Sequence, residues 1–98
     1  MKRFKVEVKR VDINKGLCNN PRQCVVALAM NRRFGKVKGY QGVEVSECNA
    51  ELDIGGYKEY VDLPRKVTNF IYRFDDTGNQ IGARSKMKPF SFTVAVDM

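Results

Sequence analysis

The chain has 98 residues, of which 43% are hydrophobic, and it carries 18 lysines and arginines against 11 aspartates and glutamates, a formal net charge of +7. This composition predicts one globular domain over residues 1–98 with a modest core, and it excludes a disordered chain and, for want of about 20 consecutive apolar residues, a membrane-spanning helix. The charge favours nucleic acid, an anionic membrane surface or an acidic protein as a partner, without choosing among them.

Few residue types suited to catalysis or metal binding are present. The chain has no histidine, the commonest general base near neutral pH, and its cysteines, Cys18, Cys24 and Cys48, are one ligand short of a structural zinc site. With no signal peptide at Met1-Lys2-Arg3-Phe4, they are expected to be reduced thiols in a cytoplasm. Cys24 is interpreted as a core residue rather than a nucleophile. We therefore expect no enzyme, no metal and no cofactor.

The N-terminal third predicts a strand followed by a helix. Phe4, Val6 and Val8 alternate with charged residues, which indicates a half-buried strand, and residues 14–20 form a polar connection. Asn20 and Pro21 then resemble the N-cap and first position of a helix that runs to about Phe34. Its core is the longest apolar run in the chain, residues 23–30.

A compact meander of three short strands is predicted next. Residues 43–46, 50–54 and 57–61 alternate between apolar and polar side chains, with turns at Cys48-Asn49 and Gly55-Gly56. The outward face of this meander is expected to be acidic, through Glu44, Glu51, Asp53 and Glu59. The positive charge of the protein is therefore concentrated elsewhere.

The C-terminal third predicts a second helix and the clearest strand. After Leu63-Pro64, Val67, Phe70, Ile71 and Phe74 follow the i, i+3, i+4, i+7 spacing of an amphipathic helix. A polar segment, residues 79–88, leads to a terminal strand whose apolar face holds alternate residues from 90 to 96. The predicted fold is α+β in the order β-α-β-β-β-α-β, a mainly antiparallel sheet with both helices on one face. The terminal strands, 3–9 and 89–97, are expected inside that sheet.

The strongest candidate binding cluster surrounds the end of the first helix. Cationic side chains with an adjacent aromatic ring suit contact with phosphates and stacking on bases, and this cluster comprises Arg22, Arg32, Arg33, Lys36, Lys38 and Tyr40. A solvated helix end is the alternative interpretation. Direct nucleic-acid binding requires that these residues converge on one surface, and it loses its site if Arg32 and Arg33 are paired with acidic residues of the meander.

Protein binding is the competing prediction. One basic and one acidic surface on a small chain suit docking to a larger protein, and the four tyrosines are numerous for this size. Cross-strand packing is the alternative role for Tyr57 and Tyr60.

Three segments together resemble a family of small uncharacterised tailed-phage proteins. They are Cys18 followed by Cys24-Val25-Val26-Ala27-Leu28-Ala29, Leu63-Pro64 with Val67, Phe70-Ile71, Phe74-Asp75 and Gly78, and Pro89-Phe90-Ser91-Phe92. The resemblance covers most of the chain. It implies a phage accessory protein made early in a bacterial host cytoplasm, and no substrate. The favoured prediction is that the protein binds and modulates a host macromolecular complex through a protein surface. The alternative is sequence-nonspecific nucleic-acid binding.

Overall fold

The computed structural model describes residues 1–97, which form five strands and four helices. In chain order these are β1 (Lys2–Val8), α1 (Arg10–Lys15), α2 (Val25–Phe34), β2 (Tyr40–Val45), β3 (Asn49–Ile54), β4 (Tyr57–Asp62), α3 (Arg65–Thr77), α4 (Ala83–Lys86) and β5 (Phe90–Val96). The α+β class and the antiparallel pairing are confirmed. Two short helices, α1 and α4, are added to the predicted order.

The strands form two sheets rather than the single predicted sheet. β1 pairs antiparallel with β5 over its whole length, from Lys2 opposite Val96 to Val8 opposite Phe90, and β2, β3 and β4 form a separate antiparallel sheet. β4 approaches β5, but no hydrogen-bonded ladder joins them. The prediction that both terminal strands lie inside a sheet is therefore wrong. The outer edge of β1 is occupied by arginine side chains of α2 instead of another strand.

The three-stranded meander is confirmed. The turn between β3 and β4 has φ of 62° at Gly55 and 85° at Gly56, the pair of positive values that a two-residue type I′ hairpin turn requires. The alternation places Val43, Leu52 and Val61 on the buried face of this sheet. The polar residues between them face away from the core.

The first predicted helix begins four residues later than expected. Residues 21–23 form a turn, in which the Asn20 side chain accepts hydrogen bonds from the backbone N–H groups of Arg22 and Gln23. α2 starts after Cys24, whose sulfur accepts from the Ala27 N–H at 3.5 Å. Asn20 therefore closes a turn rather than capping the helix. The predicted end at Phe34 is confirmed.

The second predicted helix, α3, is confirmed with its apolar stripe buried. Val67, Phe70, Ile71 and Phe74 all lie in the core. The Phe70 ring packs on Phe90 of β5, with the ring centroids 5.0 Å apart, while α2 packs against β1 and β2. The two long helices thus cover the two sheets from the core side.

Hydrogen bonds from arginine side chains to backbone carbonyls hold both additional helices in place. Arg84 of α4 donates to the carbonyl oxygens of Ile13 and Asn14 at the end of α1, at 3.2 and 2.8 Å, and to that of Gly78 after α3. In the opposite direction, the Arg10 side chain of α1 donates to the carbonyl oxygens of Arg84 and Met87. A cation at a helix C-terminus satisfies carbonyls that the helix leaves unbonded. These contacts link chain segments about 70 residues apart.

Candidate binding surfaces

The six predicted site residues divide between two surfaces. Arg22 and Tyr40 border a concavity of about 440 Å³ beside the three-stranded sheet. Arg32, Arg33 and Lys36 border a different concavity, of about 450 Å³, between α2 and β1. Lys38 borders neither. The structure therefore groups the three residues around the end of α2 with Lys5 and Lys9 of the N-terminal segment, and it places Arg22 and Tyr40 on a separate surface.

Arg32 is held by a buried carboxylate. Its two terminal nitrogens donate to the two Asp12 carboxylate oxygens at 2.8 and 2.6 Å, and one of them also donates to the Glu7 carbonyl oxygen at 2.8 Å. Asp12 is only 3% exposed and also accepts from the Lys9 N–H. The hydrogen bonds from Arg32 to Asp12 raise the pKa of Arg32, so the guanidinium stays charged. The partner is thus Asp12, not an acidic residue of the meander.

Arg33 covers the next part of the β1 edge. Its Nε donates to the Lys5 carbonyl oxygen at 3.0 Å, and its guanidinium lies 5.0 Å from the centre of the Phe4 ring. Together with Arg32 it satisfies two carbonyls on the outer edge of β1. An exposed strand edge is a template for pairing with another chain. Both arginines therefore have a structural role as edge covers.

Tyr40 and Arg22, the two predicted residues beside the three-stranded sheet, each have an identified polar partner. The Tyr40 hydroxyl donates to the Asn31 side-chain oxygen, and its ring stacks on Phe34 with the centroids 6.0 Å apart. Burial raises the pKa of Tyr40 to about 12. Arg22 pairs with Glu44 at 3.7 Å, with both side chains more than half exposed. A pair of this kind is screened by water and contributes little stability.

The concavity between α2 and β1, which we call the basic concavity, has five cationic residues and one acidic residue on its border: Lys5, Lys9, Arg32, Arg33, Lys36 and Glu7. The ammonium groups of Lys5, Lys9 and Lys36 make no hydrogen bond or ion pair within the described chain. Arg33 supplies a fixed positive charge beside them, whereas the charge of Arg32 is balanced by the Asp12 carboxylate. This arrangement can attract a phosphate or carboxylate.

The outer side of the three-stranded sheet is acidic. Residues 40–62 hold six of the 11 acidic residues and one of the 18 basic residues. Glu44, Glu51 and Tyr60 lie side by side across the three strands, and Asp53 lies opposite Lys58 in the next row. We call this surface, defined by Glu44, Glu51, Asp53, Lys58 and Tyr60, the acidic face.

The predicted acidic surface is therefore confirmed except for one residue. Glu59 lies in register with Leu52, on the other side of the sheet. Lys58 is the cation of the acidic face, with its ammonium nitrogen 3.1 Å from Asp53 and 3.6 Å from Glu51. Glu51 also accepts a hydrogen bond that raises the pKa of Tyr60, whose side chain is 68% exposed.

A third surface was not predicted. A groove of about 460 Å³ lies between α3 and the segment that joins α4 to β5, and we call it the aromatic groove. Its border is formed by Lys66, Asn69, Arg73, Lys86, Lys88 and Phe90, over a floor that includes Phe70. The sequence separates these cations into two segments, so no local cluster identified them. The only sequence signal was Lys66 and Arg73, seven residues apart on one side of the amphipathic helix.

The three cysteines differ in burial: Cys24 is buried, Cys18 is partly exposed and Cys48 is exposed. Cys24 is buried as predicted, and this burial raises its pKa, whereas an activated thiol has a lowered pKa. None of the three thiols within residues 1–97 forms a disulfide. Over the same range, no three acidic or cysteine side chains are placed to hold a metal ion, and none of the helices has the length and apolar character to cross a membrane.

Comparison with protein-family models, with curated proteins and with solved structures gives no match to this chain. The charge and shape of its three surfaces are therefore the observations that support a functional proposal.

Proposed function

We propose that this chain is a small non-enzymatic accessory protein of the tailed-phage kind, which binds and modulates a host macromolecular complex through a protein surface. The interface is the acidic face, and its complement is a basic patch on a host protein. The observation that carries this proposal is the segregation of charge: a protein with a net charge of +7 concentrates six of its 11 acidic residues in residues 40–62, and three of these, Glu44, Glu51 and Asp53, lie on the acidic face.

The acidic face has features that folding alone does not favour. Glu44 and Glu51 stand directly opposite each other in the β2–β3 ladder, an arrangement that destabilises a sheet. Their cationic neighbours, Arg22 and Lys58, pair with them through side chains that are themselves more than half exposed. A basic partner surface would relieve this repulsion on binding. The like-charge pair therefore supports an interface role.

An exposed tyrosine supplies contact area next to these charges. Tyr60 lies in the same row as Glu51 and is 68% exposed. Tyrosine is enriched at protein interfaces because its ring packs while its hydroxyl hydrogen-bonds. The concavity beside the sheet, about 440 Å³, offers room for a basic side chain of the partner.

Affinity capture with matched variants tests this interface. Immobilised protein is exposed to a bacterial lysate, and the captured protein is then purified for direct binding measurements. The sheet variant Glu44→Gln, Glu51→Gln removes two negative charges from the acidic face, and the control Asp76→Asn, Asp97→Asn removes two exposed charges elsewhere. Wild type and control are expected to bind with equal affinity and the sheet variant at least about tenfold more weakly, as loss of desolvated charge pairs predicts. Equal affinity of all three proteins would contradict this interface.

A second function is favoured by the basic concavity. Lys5 and Lys9 lie beside Arg33 and Lys36 although they are more than 20 residues away in the chain. This convergence supports sequence-nonspecific contact with a nucleic-acid backbone by part of the predicted cluster. Arg22 and Tyr40 lie outside this surface, and the charge of Arg32 is balanced by the Asp12 carboxylate to which its guanidinium is bonded.

Binding to labelled duplex DNA as a function of salt tests this second function. The variant Lys5→Gln, Lys9→Gln, Lys36→Gln keeps Arg32 and Arg33, so the strand edge remains covered. If the three lysines contact duplex phosphates, the slope of log affinity against log salt becomes shallower by about 2 to 3 units. An unchanged slope, or no binding by wild type at low salt, would exclude the basic concavity as a nucleic-acid site.

A further inference from the structure

We propose that the aromatic groove between α3, α4 and β5 binds single-stranded nucleic acid. This site is separate from both surfaces described above. None of its residues belongs to the acidic face or to the basic concavity. The proposal rests on the shape of the groove, the charge along its border and the rings at its floor.

The groove is extended rather than round. Lys66, Arg73 and Thr77 follow one side of α3, and the rise of about 1.5 Å per residue makes this side about 16 Å long. Beyond Arg73 the groove continues into a second concavity of about 290 Å³, which shares Arg73 and Lys86 with the first. A linear polymer therefore fits this groove better than a compact small molecule.

The charge along the groove is of one sign. Four cations border it, and none of the residues that line either concavity is acidic. Lys66, Lys86 and Lys88 make no hydrogen bond or ion pair within residues 1–97, in contrast to Arg32 and Arg84, which are fully engaged. Cations from two chain segments are thus left beside one cleft without counterions from the described residues. A polyanion complements them along its whole length.

Aromatic rings form the floor between these cations. Phe90 is partly exposed and packs on Phe70, and the Arg73 guanidinium lies 5.7 Å from the centre of the Phe70 ring. Nucleic-acid bases stack on phenylalanine rings and on guanidinium planes alike. The side-chain amides of Asn69 and Gln80 add hydrogen-bonding groups at the border of the two concavities. Cations for phosphates thus lie in one groove with a partly exposed ring, Phe90, and a guanidinium, Arg73, on which bases can stack.

The ring floor selects among polyanions. In a duplex the bases are stacked inside, so Phe90 and Arg73 would have no base to contact. An acidic peptide would neutralise the lysines but would not use the flat rings. A single strand presents phosphates and base faces together. Single-stranded DNA and RNA share this chemistry, and separate measurements on each distinguish them.

Fluorescence anisotropy with labelled oligothymidine and oligouridine, over a range of salt concentrations, measures this binding. A duplex of the same length and an oligoglutamate peptide serve as competitors. The groove variant Lys66→Gln, Lys86→Gln, Lys88→Gln is compared with Lys2→Gln, Arg3→Gln, Lys15→Gln, which removes the same charge from positions outside the groove. The basic-concavity variant Lys5→Gln, Lys9→Gln, Lys36→Gln completes the set.

The groove variant is expected to bind a single strand at least about tenfold more weakly than the matched control, with a salt slope shallower by about 2. The basic-concavity variant is expected to bind like the control. If the basic-concavity variant alone loses single-strand binding, the groove is not the site. Equal binding by all three variants would also overturn the proposal. So would a competition experiment in which oligoglutamate displaces the labelled strand and an unlabelled single strand does not.

Substitution of Phe90 tests base stacking separately from the charge of the groove. Phe90→Leu keeps an apolar side chain against Phe70 but removes the stacking surface, and Phe4→Leu is the matched change at a ring outside the groove. Stacking on an aromatic side chain contributes about 1–3 kcal/mol per base, so Phe90→Leu should weaken binding by roughly fivefold or more without altering the salt slope. No difference between the two variants would exclude stacking on Phe90. Urea denaturation of both variants verifies that they are folded.

Discussion

Two groups of cationic side chains in this molecule differ in how they are held. Four arginines donate hydrogen bonds to backbone carbonyls: Arg10, Arg32, Arg33 and Arg84. Arg32 also donates to a buried carboxylate. The lysines of the aromatic groove and of the basic concavity make no such bonds in the described chain. A guanidinium has five donors in a planar fork, which suits it to carbonyl groups at strand edges and helix ends. The anchored arginines therefore build the fold, and the unbonded lysines are available to a partner.

Arg32→Ala should produce the largest loss of stability. It leaves the buried Asp12 carboxylate with only the Lys9 N–H as a partner, and breaking a buried pair in this way costs about 3 kcal/mol, at the low end because Arg32 is partly exposed. Urea denaturation measures the change in the free energy of unfolding. Arg22→Ala, which breaks an exposed pair, is the control, with an expected change below about 0.5 kcal/mol. Equal effects would mean that Arg32 is not an anchor.

Arg84→Ala should have the next largest effect. It removes three hydrogen bonds to the carbonyls of Ile13, Asn14 and Gly78, and a guanidinium that lies 4.9 Å from the centre of the Phe74 ring. Water can replace part of these contacts, so we expect a loss of about 2 kcal/mol. Hydrogen exchange should show the loss concentrated in α1 and α4. Arg73→Ala, at the groove, is the matched change and should leave exchange in α1 unaltered.

Arg33→Ala should cost about 1 kcal/mol, because one exposed carbonyl bond and one contact with the Phe4 ring are lost. It also uncovers part of the β1 edge. Sedimentation at increasing protein concentration should therefore show more self-association than with Lys36→Ala, whose side chain covers no strand edge. Identical sedimentation of the two variants would remove the edge-covering role of Arg33.

The last effect is absent near neutral pH and appears only in alkaline solution, at Tyr40. Because burial raises the pKa of Tyr40 from 10 to about 12, the folded state retains the phenolic proton between pH 10 and 12 while the unfolded state loses it. The contribution of this group to stability is therefore constant below pH 10 and is lost as the pH rises towards 12. Tyr40→Phe should flatten this part of the stability profile, and Tyr57→Phe, at an exposed ring, should not. Parallel profiles would contradict the burial effect.

The fold could be predicted where hydrophobic periodicity runs over a whole element. The β2–β3–β4 meander, α3 and β5 all follow such a period, and Gly55-Gly56 specifies its turn. α1 and α4 have six and four residues, too few for a helical period to emerge, and they depend on the contacts between Arg10 and Arg84. The division into two sheets depends on tertiary packing around the β1 edge. No local pattern encodes it.

The candidate sites show the same limit. The sequence placed Glu44, Glu51 and Asp53 on the acidic face correctly, because alternate residues of a strand necessarily share a side, and by the same rule Glu59 lies on the other side. It did not reveal that Arg32 is bonded to Asp12, because the change of parity after Val8 indicated a bend or the end of a strand and not a helix. The aromatic groove could not be predicted, because Lys66 and Lys88 are brought together only by the packing of Phe70 on Phe90. Charge density along a chain does not distinguish anchored cations from available ones.

Hydrogen exchange of the arginine Nε–H groups, measured by NMR, tests most directly whether the cations fall into these two groups. The Nε–H groups of Arg33 and Arg84 donate to carbonyl oxygens and should exchange slowly, whereas those of Arg22 and Arg73 make no such bond within residues 1–97 and should exchange at the rate of a solvated guanidinium. Addition of a single-stranded oligonucleotide should slow Arg73 and leave Arg33 and Arg84 unchanged. Uniform exchange at all four arginines, or protection of Arg22 and Arg73 alone in the unliganded protein, would contradict the division of this molecule into anchored and available cations.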